Sequence, residues 1–256
     1  MDRLLGAALE VSKKAGAQAL KKFGNIKPNF KHRADLVTEA DVAANRLIVD
    51  FVRRKFPGHS VLSEEMDLVE GESGYCWIVD PIDGTTNFVQ GIPDFAVSIG
   101  IAKDCELVAA VVHAPALKET YYAQKGKGAF LNGKRTAVTK TGLLKDAVAC
   151  FDFPYDEAGR NQSVEMFARF ANETRYTQTR ASAALGMAWV ARGLFDLYGH
   201  PGTKPWDSAA GALLIREAGG KVLHLDGKEW HWNDWKKGIV CGNGKMCRAF
   251  LEKWRG

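Results

Sequence analysis

The chain has 256 residues, 46% of them hydrophobic and 25% charged, with a net charge of +5. This is the balance of an ordinary soluble enzyme with enough chain for a large core in one or two domains. No apolar run reaches the length of a membrane span, and the start Met1-Asp2-Arg3-Leu4 lacks the basic and apolar regions of a signal peptide, so a cytoplasmic protein without a membrane partner is expected.

Residues 2–23 carry apolar side chains at helical spacing and stop at Gly24. Residues 25–37 read as a Lys- and Arg-rich strand or hairpin. Thr38 opens a second helix, which Pro57-Gly58 ends. Val61-Leu62 reads as a short strand running into Ser63-Glu64-Glu65, and residues 66–75 as a polar loop. Trp77-Ile78-Val79 reads as a buried strand ending on Asp80; Pro81, which has no N–H, should force a turn there. Phe95, Val97, Ile99 and Ile101 alternate as a half-buried strand should. Val108–His113, Thr120–Ala123 and Gly128–Leu131 extend that sheet, with Asn132-Gly133 as a hairpin turn.

After a connection at 136–146, strands are expected at Val148–Phe153, Tyr176–Thr179, Phe195–Tyr198, Lys221–Leu225 and Gly238–Cys241. Helices are expected at Gln162–Asn172, Ala181–Arg192, Ser208–Ala218 and Lys245–Trp254. Interleaved helices and strands give a layered α/β (α+β) class.

The five cysteines are scattered and form no Cys-x-x-Cys pair, which favours structural thiols over zinc or disulfides. None has an Arg six residues later, which excludes the thiol-phosphatase arrangement. Gly128–Arg135 nearly matches a P-loop, but Arg135 stands where the magnesium-binding hydroxyl belongs and the context is a hairpin. The modest positive charge suits a solvated basic surface that draws in phosphorylated substrates. Lys and Arg are spread along the chain, so RNA binding is the weaker reading.

Acids recur at the ends of strands or the starts of helices: Asp41, Glu64-Glu65, Asp80 with Asp83, and Asp207. Carboxylates with no His or Cys beside them suit magnesium or manganese rather than zinc. The stretch Gly84-Thr85-Thr86 adds backbone N–H groups where a helix can begin, which suits a phosphate. Taken singly, each residue also has an ordinary reading. Asp41, three residues after Thr38, fits a capping box; Asp207, Thr85 and Thr86 fit helix caps. Glu65 should point away from Glu64, and Lys31 is either a solvated loop lysine or a phosphate-steering one. His32, His59, His113, His224 and His231 read as structural or exposed, and Trp230, Trp232 and Trp235 as core or contact surface.

Asp80-Pro-Ile-Asp83-Gly84-Thr85-Thr86-Asn87-Phe88 resembles the first motif of the inositol monophosphatase family, and Pro205-Trp206-Asp207-Ser-Ala-Ala-Gly211 with Glu217-Ala-Gly-Gly220 resembles its second. Asp35-Leu-Val-Thr38-Glu-Ala-Asp41 and Ser63-Glu64-Glu65 match its upstream acids in order and rough spacing. The resemblance implies that family's sandwich of alternating helix and sheet layers. It implies a single catalytic unit with subdomains over about 1–140 and 141–256, a homodimer, and lithium sensitivity. It implies two or three Mg2+ ions, replaceable by Mn2+, held by Glu64, Asp80, the Ile82 carbonyl, Asp83 and Asp207.

In that pattern Thr85, backed by Asp41, orients and helps deprotonate the attacking water, with Glu64 and Asp83 also catalytic. Asp83, Gly84, Thr85, Ser182, Ala183, Ala184, His200 and Asp207 contact substrate. Seven residues before Asp207 the family usually has a Glu that grips ring hydroxyls; this chain has His200. The expected substrate is therefore inositol 1-phosphate or a related sugar or polyol phosphate, with fructose 1,6-bisphosphatase or broad sugar phosphatase activity as the alternative. An RNA- or transcription-associated accessory role is the alternative of another class.

Overall fold

The computed structural model describes residues 2–31 and 35–256; the sequence reading of His32 lies outside them. Helix α1 (Arg3–Leu20) buries Leu5, Ala8, Val11, Ala15 and Ala19 along one face. Helix α2 (Glu39–Lys55) starts at Thr38, whose side chain accepts the Ala40 N–H, and Asp41 closes the capping box. Between them lies a two-stranded hairpin, β1 (Asn29–Phe30) and β2 (Leu36–Val37).

The larger sheet contains β3 (Ser60–Ser63), β4 (Met66–Val69), β5 (Tyr75–Asp83), β6 (Ala96–Lys103), β7 (Glu106–Ala114), β8 (Glu119–Gln124), β9 (Gly128–Leu131) and β10 (Lys134–Arg135). Its order is β10-β9-β8-β7-β6-β5-β3-β4, with β3 parallel to β5 and the other pairs antiparallel. Helix α3 (Thr85–Gln90) follows β5.

The smaller sheet contains β11 (Val148–Phe151), β12 (Tyr176–Gln178), β13 (Leu197–His200), β14 (Lys221–Leu223) and β15 (Ile239–Gly242), in the order β12-β11-β13-β15-β14. Four further helices are α4 (Glu157–Phe170), α5 (Ala183–Arg192), α6 (Pro205–Glu217) and α7 (Gly244–Arg255).

Strand alternation builds the layers. Trp77, Val79, Val97, Ile99 and Ile101 point from the larger sheet into the α1–α2 core. Ile78, Ala96 and Ala110 point the other way, into a core shared with α5, α6 and the inner face of the smaller sheet. The outer face of that sheet (Ala149, Phe151, Leu197, Val240) packs with Met166 and Phe170 of α4 and Phe250 of α7. The result is a helix–sheet–helix–sheet–helix sandwich. Each large side chain buried this way contributes about 1.5–3 kcal/mol.

The sheet face toward α6 is built for close approach. β6 presents small residues there, and a Cβ at Gly100 would lie 3.0 Å from Ala209 Cβ. A Cβ at Gly211 would lie 2.5 Å from Met187 Cβ, so α6 is pressed equally tightly against α5. Ser98 Oγ donates to the Trp206 carbonyl at 3.0 Å and pins the first turn of α6 to the sheet.

Several expectations are corrected. Residues 66–69 form an edge strand rather than loop, and its one acid, Asp67, is tolerated because an edge faces water. β6 is buried on both faces because α6 covers the second one. β5 continues through Pro81 to Asp83, accommodating the missing donor with a register shift between Asp80 and Asp83. α6 begins at Pro205, so Asp207 lies inside its first turn rather than ahead of it. α4 begins at Glu157, capped by the Asp156 side chain on Gly159 N. β13 runs from Leu197 to His200, which puts His200 on the strand.

Candidate active site

The site lies where β5 ends. Asp80 pairs with Ser98 and Asp83 with Ala96, so three steps on β5 oppose two on β6. The extra residue of this bulge re-aims the strand end and brings both acids to one cavity. The Asp80 carboxylate accepts the Ile82 N–H at 3.0 Å. Gly84 then takes φ +86, where a Cβ would sit 2.9 Å from the Asp94 carbonyl, so the turn into α3 calls for glycine.

Asp207 reaches the same place from the first turn of α6, where its carboxylate accepts the Lys204 N–H at 2.8 Å. Carboxylate oxygens of Asp80, Asp83 and Asp207 all lie within 4.8 Å of one another. Asp80 and Asp83 are buried and Asp207 half-buried, and among the described residues none of the three forms an ion pair. Burial first, and then mutual repulsion with Glu64, holds Asp80 and Asp207 well above the usual carboxylate range. Burial lifts Asp83 to about 7 against the donors that lower it. Three converging carboxylates, none of them ion-paired among the described residues and with no His or Cys in the cluster, fit a hard divalent cation.

Glu64 follows β3 and lines the cavity, but its carboxylate is paired with Lys31 Nζ at 3.1 Å. Glu65 does not point elsewhere. It converges on the same Nζ at 2.6 Å, because the chain turns after Ser63 instead of continuing as strand. Burial raises Glu64 to about 7, opposed by Lys31.

Thr85 and Asp41 stand behind the cluster. Thr85 Oγ1 lies 3.2 Å from Asp41 Oδ1 and 3.0 Å from the Ile82 carbonyl, both acceptors. The hydroxyl hydrogen is therefore directed inward and an oxygen lone pair is left for the cavity. Asp41 Oδ2 takes both the backbone N–H and the hydroxyl of Thr38, and burial raises the acid to about 6. The capping role and the Thr85 contact belong to one carboxylate.

The second half supplies the remaining wall. Ser182 Oγ and the Ala184 N–H donate to Asp83 Oδ2, and the Ala183 N–H donates to Oδ1. The start of α5 therefore grips Asp83. Ser182 and Ala183 line the cavity, whereas Ala184 does not. His200 lines it too and is buried, its Nδ1 accepting the Gly202 N–H at 3.0 Å. Burial pulls its pKa down to about 4, so the ring is neutral with the proton on Nε2.

The cavity holds about 800 Å³, enough for a sugar or polyol phosphate. Asp152, Tyr155 and Trp235 also line it. Lys204 Nζ stands 4.5 Å over the Trp235 ring. Asp152 and Tyr155 are missing from the sequence-derived set. For Asp152 a signal exists, an acid closing an apolar strand just as Asp80 does. Of the tryptophans in the 230–235 cluster, Trp230 is fully buried and Trp235 forms part of the cavity wall.

A family model described as the inositol monophosphatase family matches residues 1–254. A Thermotoga maritima protein named fructose-1,6-bisphosphatase/inositol-1-monophosphatase is 38% identical over 249 residues, covering 95% of this chain and 92% of its own. A Pseudomonas aeruginosa protein named Nus factor SuhB is 36% identical over 260 residues, covering 98% and 95%. Among solved structures, the extragenic suppressor protein suhB from Bartonella henselae superposes with a TM-score of 0.94 at 32% identity, covering 99% of each chain.

Proposed function

The chain belongs to the inositol monophosphatase family, and from that premise we propose that it is a magnesium-dependent phosphomonoesterase acting on inositol 1-phosphate or related polyol and sugar phosphates. The observation that carries the reading is the convergence of Asp80, Asp83 and Asp207 within 4.8 Å, beside the Thr85–Asp41 pair.

Asp80, Asp83 and Asp207 would hold the cation, with Glu64 and the Ile82 carbonyl joining them. A divalent ion bound there supplies neutralisation of phosphate charge and makes a water more acidic. The chain's own groups do the rest. The first N–H groups of a helix have no intrahelical partner, so Gly84 and Thr85 can receive phosphate oxygens at the start of α3. Thr85 Oγ1, its hydroxyl donating to Asp41 or to the Ile82 carbonyl, accepts a hydrogen bond from the attacking water and aligns the water's lone pair with phosphorus. As the water loses a proton to Thr85, Thr85 passes its own to the Asp41 carboxylate. Asp41, buried and ionised above about pH 6, is the acceptor that keeps Thr85 in this orientation. No nucleophilic side chain is needed, so water attacks in line without a phosphoenzyme.

Lys31 Nζ holds Glu64 Oε1, which leaves Oε2 as the oxygen through which Glu64 would ligate a cation. Thr85→Val removes the acceptor while filling nearly the same volume. Steady-state kinetics should then show kcat reduced by roughly 10²- to 10⁴-fold with KM within a few-fold, the range for loss of a positioned proton acceptor.

Phosphate release from inositol 1-phosphate, fructose 1,6-bisphosphate and adenosine 3′,5′-bisphosphate, with Mg2+ and with chelator, tests the assignment. Turnover that requires Mg2+ and favours the polyol or sugar ester supports it, and preference for the nucleotide overturns the substrate class. The Nus factor name of the Pseudomonas relative supports a second reading, a transcription-associated role. Salt-sensitive binding of RNA, independent of turnover, would be its signature.

A further inference from the structure

β11 ends as β5 does, with buried apolar residues running into an acid at the cavity wall. Asp152 is only 3% exposed. Its Oδ1 is saturated by Thr179 Oγ1 at 2.6 Å, the Arg180 N–H at 2.7 Å and the Ala181 N–H at 2.9 Å. Its Oδ2 is buried and, among the described residues, has no donor. A buried carboxylate oxygen left without a partner is costly and uncommon in a settled fold. The protein spends all its local donors on the other oxygen.

Asp152 lines the cavity shared by Asp80, Asp83 and Asp207, and its charge acts on both Asp83 and His200. His200 faces the same space with the opposite capability. Its Nδ1 is engaged by Gly202 and its ring is neutral, so Nε2–H is a donor. Asp152 and His200 thus place one unpartnered acceptor and one fixed donor among the residues that line the cavity, and no hydrogen bond joins the two.

We propose that Asp152 is a specificity-determining residue whose Oδ2 accepts a hydroxyl of the substrate's carbon skeleton, while His200 Nε2–H donates to a neighbouring oxygen. The pair selects phosphate esters of polyhydroxylated rings and sugars over esters of simple alcohols. The inference rests on the phosphomonoesterase reading and extends it to the leaving group.

Asp152 also has a structural duty. Its Oδ1 holds the turn at Ala181, which takes φ +54, and the next residue, Ser182, donates to Asp83. Asp152→Asn separates the two duties. The amide oxygen can keep the three donors, and the NH2 replaces Oδ2 with a group that cannot accept a hydroxyl hydrogen.

The test compares inositol 1-phosphate with cyclohexyl phosphate, the same ring without its free hydroxyls, under saturating Mg2+. In Asp152→Asn, kcat/KM for inositol 1-phosphate should fall roughly 10- to 100-fold, mainly through KM, as expected for a lost hydrogen bond to a charged acceptor. For cyclohexyl phosphate the fall should stay below about threefold, because that ester offers Oδ2 no hydroxyl. Equal losses on both esters would reduce Asp152 to a structural pin and overturn the inference, as would unchanged discrimination. Should the variant not fold, the wild type still decides: equal kcat/KM for the two esters overturns the inference alone. Hydrolysis of neither ester overturns the phosphatase reading and the inference with it.

Discussion

Asp83→Asn should all but abolish magnesium-dependent phosphate release, lowering kcat/KM by at least about 10³-fold, because the change removes one of three converging charges on which cation binding depends. Asp83 is also the best-oriented of the three. Ser182 Oγ and two backbone N–H groups at the start of α5 fix both its oxygens. An amide there must set its NH2 against at least one N–H donor, a mismatch costing about 1–3 kcal/mol.

A second change works in the opposite direction. Asp83 ionises near pH 7 because burial resists its charge, and neutral Asn removes that resistance. Metal-free Asp83→Asn at pH 8 should therefore melt within a few degrees of wild type, while losing the rise in Tm that Mg2+ gives the wild type. Calorimetry with and without Mg2+, beside a phosphate-release assay, separates chemistry from folding. Wild-type turnover of this variant with saturating Mg2+ would remove Asp83 from the metal site.

The second large effect is a pH-dependent stability that Mg2+ should suppress. Burial lifts Asp83 from 3.8 to about 7 and Glu64 from 4.5 to about 7, and raises Asp80 and Asp207 in the same direction. In that interval the folded chain still holds protons that the unfolded chain has released. This contribution is fully present below about pH 4 and is lost as pH rises through 7. Each such group removes on the order of 1.4 kcal/mol per pH unit within its window.

In chelator, Tm should fall by about 10–20 °C between pH 5 and pH 8, since Asp83 and Glu64 alone each lose about 1.4 kcal/mol per pH unit over the roughly two units below their folded values near 7, at roughly 2–4 °C per kcal/mol for a chain of this length. Saturating Mg2+ should raise Tm most at pH 8 and flatten the slope, since a cation replaces the protons as partner of the carboxylates. Equal slopes with and without Mg2+ would mean that the cluster does not bind the ion.

Much of this site is legible before folding. Asp80, Asp83 and Gly84 are close in sequence, and their spacing at a strand end already brings two acids and a helix start together. The capping relation of Thr38 and Asp41 is local too, and it is present as read. The misreadings share a cause. Pro81 stays in β5 because a bulge absorbs its missing donor, which depends on the partner strand β6. β6 is buried on both faces because α6, a hundred residues later, lies on the face its small residues leave open. Glu65 shares Lys31 with Glu64 because the chain turns after Ser63 and Lys31 arrives from a distant part of the chain.

The sequence by itself determined the family, the alternation of helix and sheet, and the chemical type of the candidate site: clustered carboxylates beside backbone N–H groups at a helix start. These follow from residue types and short spacings, which local physics resolves. Only the tertiary structure decided what the second half does to that site. It brings Asp207 to Asp80 by the close packing of α6 on Gly100 and Ser98, turns the start of α5 onto Asp83, and leaves one buried oxygen of Asp152 without a donor among the described residues, in the same cavity lining as a neutral His200. Those outcomes depend on which donors reach which acceptors across the two sheets, and no spacing along the chain encodes that.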